Sequence, residues 1–361
     1  MMTEGVLGEI MKSIYIATFC DWDNYGSILQ SIALKRTLFK IGVSSTIIEA
    51  KEELKNKYEA KKPRKDIRSL LDFLYNMVFC KSISLRFVKN TRVIKDELDI
   101  MYLPDYLKQM FELPKGSIYL SGSDQVWSPL LCHRLFFLDF PTNNIKISYA
   151  ASLGVSYIPK EKENEFMRLV NNFDYISVRE RDAVQLINKL TDKPVYQHLD
   201  PVFLLKRVEW SKLEEEYEID EPYILVYAIY WARKYNKQLR ELHKVSGKKI
   251  VVIENGLQWI YGNKRIRDGG VMNFLSLIRN ADAVISSSFH GVAISIVYNK
   301  KVAAVINPQS PSRISNLLDE LNYINPSIPE VLDIQNNYIQ INKIIAAETK
   351  KSYTYLTNIL I

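Results

Sequence analysis

Short apolar segments of strand length alternate with longer segments of helical periodicity over most of the chain. Residues 13–19 (SIYIATF) form an apolar run, residues 27–41 carry apolar side chains at helical spacing, and residues 45–49 form a second run. The same alternation returns between residues 223 and 323. Strands that alternate with helices are typical of parallel sheets covered by helices. The pattern therefore predicts an α/β fold of two doubly wound, Rossmann-like domains that face a cleft.

A change of composition near residue 207 separates the two sets of alternating segments. Residues 208–222 (VEWSKLEEEYEIDEP) are acidic and polar and end in a proline, which is typical of a boundary. We expect an N-terminal domain over residues 1–206 and a C-terminal domain over residues 207–361. The helical pattern at residues 334–360 belongs to the second domain and could pack back across the first.

The segment 282–301 (DAVISSSFHGVAISIVYNKK) places a histidine where ligands collect in this class of fold. A short apolar strand is followed by three serines and by a helical pattern that starts near His290 and Gly291. In doubly wound sheets this position lies at the carboxyl edge, where free helix N–H groups attract anions. His290 is therefore a candidate for catalysis. The alternative is that Ser287 or Ser288 caps the helix while His290 packs against a neighbouring strand.

The loop after the first predicted strand is crowded with polar and aromatic side chains. Residues 21–25 (DWDNY) supply two acids, an amide and two rings, which can hydrogen-bond hydroxyl groups and stack on the apolar face of a sugar. The loop thus suits a carbohydrate better than a bare phosphate. The alternative is an Asx-type turn in which Gly26 supplies backbone freedom.

Two further strand ends carry groups that could bind an anion. Residues 121–129 (SGSDQVWSP) follow a strand, and Gly122 allows close approach to an anion or to sugar oxygens, although two serines and a glycine occur in many turns. Arg179 and Arg181 follow another strand, where a guanidinium can reach a phosphate or a carboxylate. Exposed arginine pairs are more often solvated, so both interpretations stay open.

Composition limits the class of protein. The chain has 361 residues, of which 47% are hydrophobic, enough for two domains of about 150 residues each. Its three widely spaced cysteines predict reduced thiols, a cytoplasmic protein and no zinc site. Neither a G-x-G-x-x-G nor a P-loop motif occurs, which excludes those nucleotide-binding classes by their own criteria. We find no export signal and no apolar run of about 20 residues, so a membrane role would have to be peripheral.

Most of the net charge of +7 lies in one segment. Residues 51–95 hold 13 basic and 5 acidic residues, and the remainder of the chain is close to neutral. Within this segment, residues 67–79 carry apolar and aromatic side chains at helical spacing. A basic amphipathic helix is typical of contact with a membrane surface or a lipid phosphate. The alternative is a core helix that follows a solvated basic linker. No recognition module for nucleic acid is present, so no nucleic-acid partner is expected.

Seven motifs resemble those of the polysaccharide pyruvyl transferase family in order and spacing. They are NYGSILQSIAL (24–34), SGSDQVWSP (121–129), SYAASLG (148–154), SVRERDA (177–183), HLDPVFLL (198–205), ISSSFHGVAISIVYNKKV (285–302) and SRI (312–314). The resemblance implies two Rossmann-like domains in a GT-B-like arrangement. It also implies transfer of the enolpyruvyl unit of phosphoenolpyruvate onto two hydroxyls of a sugar, with a cyclic pyruvate ketal and free phosphate as products. The acceptors would be bacterial surface glycans or their lipid-linked precursors.

The resemblance also implies roles for particular residues. His290 matches the family's motif histidine and would be the general acid that protonates the methylene carbon of the donor. The donor would lie in the second domain, and the residues expected to bind it are Ser287, Ser288, Gly291, Arg313, Arg179 and Arg181. The acceptor would lie against the first domain, and the residues expected to bind it are Asp21, Asn24, Tyr25, Gly26, Gln30, Ser123, Asp124, Gln125 and Trp127. Phosphoenolpyruvate would be a co-substrate, and no metal or other cofactor is expected.

One position departs from the family pattern and leaves alternatives open. Well-characterised pyruvyl transferases tend to carry an arginine two residues before the motif histidine, where this chain has Ser288. The first alternative is a GT-B glycosyltransferase that uses a nucleotide sugar in the same cleft. The second is a non-catalytic glycan-binding protein on the same scaffold. If the acceptor is a polyprenyl-pyrophosphate-linked sugar, the basic segment 51–95 could contact the inner face of the cytoplasmic membrane.

Overall fold

The computed structural model describes residues 13–50, 77–103, 116–140, 143–254, 259–308 and 310–361. Its strands are β1 (Ser13–Ala17), β2 (Ser44–Ala50), β3 (Ile100–Leu103), β4 (Ile118–Ser121), β5 (Ile145–Ser148), β6 (Ile176–Val178), β7 (Val195–Gln197), β8 (Tyr223–Tyr227), β9 (Lys249–Ile253), β10 (Lys264–Ile266), β11 (Ala283–Ser286) and β12 (Lys301–Ala304). Its α-helices are α1 (Tyr25–Lys40), α2 (Cys80–Glu97), α3 (Glu163–Val170), α4 (Arg181–Ile187), α5 (Arg207–Ser211), α6 (Tyr235–Ser246), α7 (Val271–Asn280), α8 (Phe289–Val297), α9 (Ser312–Glu320) and α10 (Tyr338–Leu360). Short 3₁₀ helices lie at Gln125–Trp127, Lys160–Lys162 and Pro201–Leu204.

The first sheet is parallel and has the strand order β3-β2-β1-β4-β5. Strand β1 is central, and its Ile16 pairs with Ile47 of β2 and Leu120 of β4. Strands β6 and β7 pair with each other and continue the sheet beyond β5, since the Ser148 N–H donates to the Tyr175 carbonyl at 3.0 Å. Central strands of parallel sheets are covered on both faces, which explains why they are continuous apolar runs in the sequence.

The second sheet repeats this strand order as β10-β9-β8-β11-β12, again with parallel pairs. In both sheets the order reverses beside the first strand of the set, and ligands bind at the carboxyl ends of the strands near such a point. The chain is therefore an α/β protein with two Rossmann-like domains, as the alternating pattern predicts. The carboxyl ends of β1 and β4 in the first sheet, and of β8 and β11 in the second, lead into the loops of the cleft.

Helix α1 lies between the two sheets, which explains its unusual burial. Asn24 caps the helix by accepting a hydrogen bond from the Ser27 N–H at 3.2 Å. Most of the helix from Tyr25 to Leu38 is buried because it packs on β2 in its own domain and on α7 and α8 in the second. One hydrophobic core therefore runs from Leu29 of α1 to Val292 of α8, and it joins the two domains.

The C-terminal helix contacts the first domain. The Tyr355 hydroxyl donates to the Ser148 carbonyl at 3.0 Å, and the Thr349 hydroxyl donates to the Phe203 carbonyl at 3.2 Å. Leu356 and Leu360 are buried in the core that both domains share. Helix α10 thus follows the second sheet in sequence and is anchored on the first.

Helix α2 makes a second bridge, from the first domain to the second. Arg86 is buried and donates to the carbonyls of Glu254 at 2.9 Å and Ile266 at 3.1 Å, which lie at the carboxyl ends of β9 and β10. Asn90 accepts from the Val271 N–H at 2.7 Å and so caps α7 from another part of the chain. The helix covers one half of the carboxyl edge of the second sheet.

Several sequence expectations differ from the structure in extent. The apolar run at residues 145–151 (IKISYAA) predicts a strand over its whole length, but the strand ends at Ser148. The run at residues 223–230 (YILVYAIY) likewise predicts a strand that is longer than the observed one, which ends at Tyr227. Residues 51–76 lie outside the described residues, and so does most of the helix expected at residues 67–79. The described part of the basic segment is largely α2, whose Arg86, Lys89 and Arg92 bind groups of the second domain.

No helix in the described part of the chain combines the length and apolarity that a bilayer-spanning segment requires. All three cysteines are among the described residues, and no disulfide joins them.

Candidate active site

A cavity of about 350 Å³ lies where the carboxyl ends of the two sheets face each other. Loops that follow β1 and β4 form its first-domain wall, and loops that follow β8, β11 and β12 form its second-domain wall. The residues that line it are Phe19, Asp21, Asn24, Asp124, Gln125, Ile229, Tyr230, Ser287, Ser288, Phe289, His290, Asn307, Ser310, Arg313 and Ile314. The cavity is therefore complete only when both domains contribute.

His290 reaches the cavity from the first turn of α8. Its side chain is buried, and its Nε2 atom lies 3.4 Å from Oδ2 of Asp200. On the other side of the ring stands Gly26 of α1, where a Cβ atom would overlap Nδ1 and lie 2.5 Å from Cγ of His290. The first domain thus fixes the imidazole from two sides, with a carboxylate at Nε2 and a side-chain-free backbone at Nδ1.

The three serines before His290 hold the surrounding backbone. The Ser286 hydroxyl donates to the Tyr227 carbonyl at 2.6 Å. The Ser287 hydroxyl accepts from the N–H groups of Ile229 and Tyr230, both at 2.9 Å. The Ser288 hydroxyl caps α8 by accepting from the Gly291 N–H at 3.3 Å. The capping role weighed as the alternative for these serines is therefore present, and it places His290 at the cavity.

A buried cluster of charged groups stands behind His290. Oδ2 of Asp200 accepts hydrogen bonds from the Ser123 hydroxyl at 2.9 Å and from Nη1 of Arg179 at 2.8 Å. Arg179 also donates from Nε to Glu180 at 3.0 Å. Burial opposes ionisation of Asp200, but His290 and Arg179 outweigh it and hold the pKa of Asp200 below its ordinary value. The HLDP motif that carries Asp200 was visible in the sequence, but its pattern did not indicate a contact with His290.

Arg313 brings a guanidinium to the cavity from the first turn of α9. Its Nη2 atom lies 3.4 Å from Oδ1 of Asp124, and its Nε atom has no hydrogen-bond partner among the described residues. Burial and the nearby Arg179 lower the pKa of Arg313 from its ordinary value. Asp124 has a φ of 71°, which is uncommon for a residue other than glycine and often occurs at functional sites.

Three helices begin around the cavity. Asn24 is the N-cap of α1, Ser288 is the N-cap of α8, and Ser310 and Arg313 flank the start of α9. Helix N-termini carry partial positive charge and free N–H groups. Together with Arg313 they favour an anion in this cavity.

The sequence matches the family described as polysaccharide pyruvyl transferase over residues 24–310. The chain belongs to the polysaccharide pyruvyl transferase family. The matched range includes every residue of the cavity wall from Asn24 to Ser310, and it includes His290 and Asp200. A comparison with curated proteins found no match.

The chain is similar over most of its length to solved structures of other proteins. UDP-GlcNAc 2-epimerase from Neisseria meningitidis is 13% identical, with 94% of this chain and 100% of that chain covered and a TM-score of 0.46. UGT89C1 from Arabidopsis thaliana, complexed with UDP, is 10% identical, with 97% and 99% covered and a TM-score of 0.48. The fold of this pyruvyl transferase family member is shown by its own strand order. Its family is shown by the sequence match.

The structure brings eight of the residues expected at the site to the cavity. They are Asp21, Asn24, Asp124, Gln125, Ser287, Ser288, His290 and Arg313. Four of these come from the first domain and four from the second. The wall also contains residues that the sequence did not single out, of which Ser310 and Asn307 follow β12 and Tyr230 follows β8. Loops after buried strands were the signal that could have found them.

The other expected residues lie outside the cavity wall. Gly26 and Ser123 act through contacts with His290 and Asp200, Arg179 is held by Asp200, and Arg181 is exposed on α4. Gly291 packs under Ser286 and leaves no room for a Cβ atom.

Three of the expected acceptor contacts require correction because the side chains are buried elsewhere. Trp127 is fully buried and stacks on Phe137, so its ring is not presented to a sugar. Gln30 is also fully buried and donates to the Thr18 hydroxyl at 2.9 Å. Tyr25 stacks on Tyr227 and donates to the Gly269 carbonyl of the second domain. The side chains of these three motif residues pack in the protein interior and do not line the cavity.

Proposed function

We propose that this protein transfers pyruvate from phosphoenolpyruvate onto two hydroxyls of one sugar in a surface-polysaccharide precursor. The products are a cyclic ketal and phosphate. The observation that carries the proposal is the buried His290, held by Asp200 at 3.4 Å in a cavity where three helices begin. Membership of the polysaccharide pyruvyl transferase family supports the same chemistry.

Arg313 and the helix N-termini suit the donor, which carries a phosphate and a carboxylate. Arg313 lines the cavity, and its only ion-pair partner among the described residues is Asp124 at 3.4 Å. Since Ser288 stands where other family members tend to have an arginine, Arg313 is the cation best placed to replace that charge. Ser287, Ser310 and backbone N–H groups at the start of α8 would complete the anion site.

The proposed reaction begins with proton transfer from the His290 imidazolium to the methylene carbon of the donor. The central carbon becomes cationic, and one sugar hydroxyl attacks it to form a C–O bond and loses its proton. The bond to the phosphate oxygen then breaks, and a second hydroxyl of the same sugar attacks the same carbon. Of the two hydroxyl protons released, one replaces the proton given by His290 and the other leaves on the phosphate. A histidine is suited to the first step because it exchanges protons near neutral pH.

The acceptor would lie against the first domain. Asp21, Asn24 and Gln125 line that wall of the cavity and offer carboxylate and amide groups to sugar hydroxyls. We propose that residues 1–206 form the acceptor side and residues 207–361 the donor side. A lipid-linked oligosaccharide is the proposed acceptor, with peripheral contact at the membrane through the basic segment 51–95. Charge reversal at Lys61, Lys62, Arg64 and Lys65 should weaken binding to anionic liposomes, and unchanged partition would reject the membrane contact.

Helix α2 supports the small donor over a nucleotide sugar. Rossmann-like domains often hold a ribose on an acidic residue at the end of the second strand of the set. Here that strand is β9, and Glu254 at its end is paired with Arg265 at 2.9 Å while its carbonyl accepts from Arg86. Among the described residues, none from this half of the edge lines the cavity, and its volume of about 350 Å³ is near the lower end of the range for ligand pockets.

Thermal denaturation with each donor tests this choice. Phosphoenolpyruvate at 100 times its Kd should stabilise the protein by about 2.7 kcal/mol, and UDP-sugars should not. The Arg313→Ala variant should lose this stabilisation and release phosphate more slowly. Stabilisation by a nucleotide sugar alone would contradict the proposal, and wild-type donor affinity in Arg313→Ala would remove Arg313 from the site.

A further inference from the structure

We propose that Asp200 is the positioning residue for His290, because it fixes the orientation of the imidazole and keeps a proton on Nε2. The inference rests on the proposed function, because a fixed imidazole matters for the reaction only if His290 gives a proton to the donor. Asp200 is in the first domain and His290 is in the second. The acid would therefore be prepared only when the two domains are packed together.

The geometry singles out one carboxylate oxygen. Oδ2 of Asp200 lies 3.4 Å from Nε2 of His290, and both side chains are almost completely buried. Nε2 forms no hydrogen bond of standard geometry with any residue that the structure describes, and Asp200 is the carboxylate that lies within ion-pair distance of it. A distance of 3.4 Å is longer than a formed hydrogen bond but within ion-pair range, and catalytic hydrogen bonds often tighten only when substrate binds.

Asp200 is itself held rigidly. The Ser123 hydroxyl at 2.9 Å and Nη1 of Arg179 at 2.8 Å reach the oxygen that faces His290. The other oxygen accepts from the Val202 N–H at 3.1 Å. These three donors come from the loop after β4, the loop after β6 and the 3₁₀ helix at Pro201–Leu204. A carboxylate fixed on three sides can set the orientation of the ring that it contacts.

The local charge balance leaves a negative charge for His290. Arg179 is shared between Asp200 and Glu180, so one guanidinium serves two buried carboxylates. The other charged and titratable groups on the cavity wall that His290 shares are Asp21, Asp124, Tyr230 and Arg313. Arg313 is paired with Asp124. Oδ2 of Asp200 is therefore the anionic oxygen that Nε2 of His290 contacts.

This arrangement also assigns the two ring nitrogens. If Nε2 keeps its proton towards Asp200, Nδ1 is the other atom of the ring that can carry a proton. It lies beside Gly26, where a Cβ atom would overlap it. Asp200 itself touches no reacting atom and acts only through His290.

Histidine NMR of the unliganded protein tests the pair without any substrate. The chain has four histidines, so the imidazole spectrum has four sets of signals, and His290→Asn identifies one of them. In wild-type protein, the neutral ring of His290 should carry its proton on Nε2, read from the ¹⁵N shifts. A neutral ring protonated on Nδ1 would overturn the proposal, and this readout needs no variant of Asp200.

The Asp200→Asn variant supplies the second readout. The share of neutral His290 rings that carry the proton on Nε2 should fall in this variant, because the carboxylate that faces Nε2 is removed. Asp139→Asn is the matched control, since Asp139 is also a buried carboxylate held by two arginines, Arg134 and Arg168, and it should leave His290 unchanged. A His290 tautomer that is the same in wild type and Asp200→Asn would overturn the proposal.

Ketal formation separates this inference from the proposed function. In Asp200→Asn, kcat should fall while the KM for phosphoenolpyruvate changes little, whereas a purely structural role would impair both together. A rise in KM as large as the fall in kcat would overturn the positioning role. If wild-type protein forms no ketal while the His290 tautomer changes in Asp200→Asn, the proposed function fails and the positioning contact stands.

Discussion

The carboxyl edge of the second sheet is filled over one half and open over the other. At the ends of β9 and β10, Arg86 of α2 donates to two carbonyls at 2.9 and 3.1 Å, and the described residues there do not line the cavity of the site. At the ends of β8 and β11, Ser287 and His290 line a cavity of about 350 Å³. Both halves receive residues from the first domain, but in one they complete the packing and in the other they complete a site.

One parallel sheet therefore has a carboxyl edge that is packed by a helix over one half and forms part of a cavity over the other. In the filled half, a buried guanidinium satisfies the carbonyls left at strand ends, as buried polar groups require. Buried atoms without hydrogen-bond partners among the described residues occur in both halves, at Nε of Arg86 in the filled half and at Nε2 of His290 and Nε of Arg313 in the open half. His290 and Arg313 line the cavity, where a bound ligand can satisfy such groups, and Arg86 does not. If the two halves have different roles, mutations in the open half should reduce activity and mutations in the filled half should reduce stability.

The largest effect should come from His290→Gln in the open half. The variant keeps a polar side chain of similar length but cannot act as an acid near neutral pH. We expect ketal formation to fall by about 10²- to 10⁴-fold with little change in melting temperature. Phosphate release measured beside thermal denaturation checks this, and a loss of activity that merely follows unfolding would contradict it.

Gly26→Ala should come next, because it displaces the same ring from the first-domain side. An added Cβ would lie 2.5 Å from Cγ of His290, so the imidazole must move. Misplacement of a catalytic group by about 1 Å can cost about 10²-fold in rate. The pH–rate profile and the donor affinity of the variant are the measurements, and unchanged turnover would show that the Gly26 contact does not position His290.

Arg86→Ala should affect stability in the filled half. The variant leaves two buried carbonyls without their charged donor, and we expect a loss of about 2–4 kcal/mol in the free energy of unfolding. Arg92→Ala is the control on the same helix, since Arg92 forms an exposed ion pair with Glu215 and should cost less than about 1 kcal/mol. Equal destabilisation by the two variants in urea unfolding would mean that the hydrogen bonds from Arg86 to the ends of β9 and β10 do not stabilise the protein.

The smallest effect should be on the stability of the protein at acidic pH, and it concerns His198, which lies outside the cavity of the site. Burial lowers the pKa of His198 to about 4, and Lys351 adds to the shift. Because the unfolded chain binds the proton more tightly, this contribution to stability is present above the ordinary pKa of histidine and is lost as pH falls towards 4. At pH 5 the loss should be about 2 kcal/mol, and His198→Asn should remove this part of the pH dependence. An unchanged pH dependence of urea unfolding in the variant would contradict this origin.

Much of the fold could be predicted because the spacing of apolar residues that marks a strand or a helix is visible in consecutive residues of the sequence. Strand β9 and helix α8 follow from short apolar runs and from the capping serine before His290. Strands β3 and β10 could not be recognised, since they are short edge strands with exposed or charged residues. Their pairing depends on a neighbouring strand distant in sequence, which no local pattern reports.

The site was predictable as a set of loops but not as a set of contacts. His290 and Asp124 could be placed because each follows a buried strand at the carboxyl edge. The pairing of Asp200 with His290 joins residues of different domains and depends on their packing. Trp127 and Gln30 were misplaced because a motif preserves core residues and ligand-binding residues alike, and only the packing of β4 and α1 distinguishes them.

A single incubation tests whether the protein transfers pyruvate from phosphoenolpyruvate to a sugar with His290 as the acid. Wild-type protein and His290→Gln are incubated with phosphoenolpyruvate and a polyprenyl-pyrophosphate-linked oligosaccharide, and the acceptor is analysed by mass spectrometry with phosphate release followed in parallel. The proposed function predicts a pyruvate ketal on the acceptor and one phosphate per ketal with wild type, and neither with His290→Gln. A ketal formed equally well by His290→Gln, or addition of a hexose from a nucleotide sugar in place of a ketal, would contradict it.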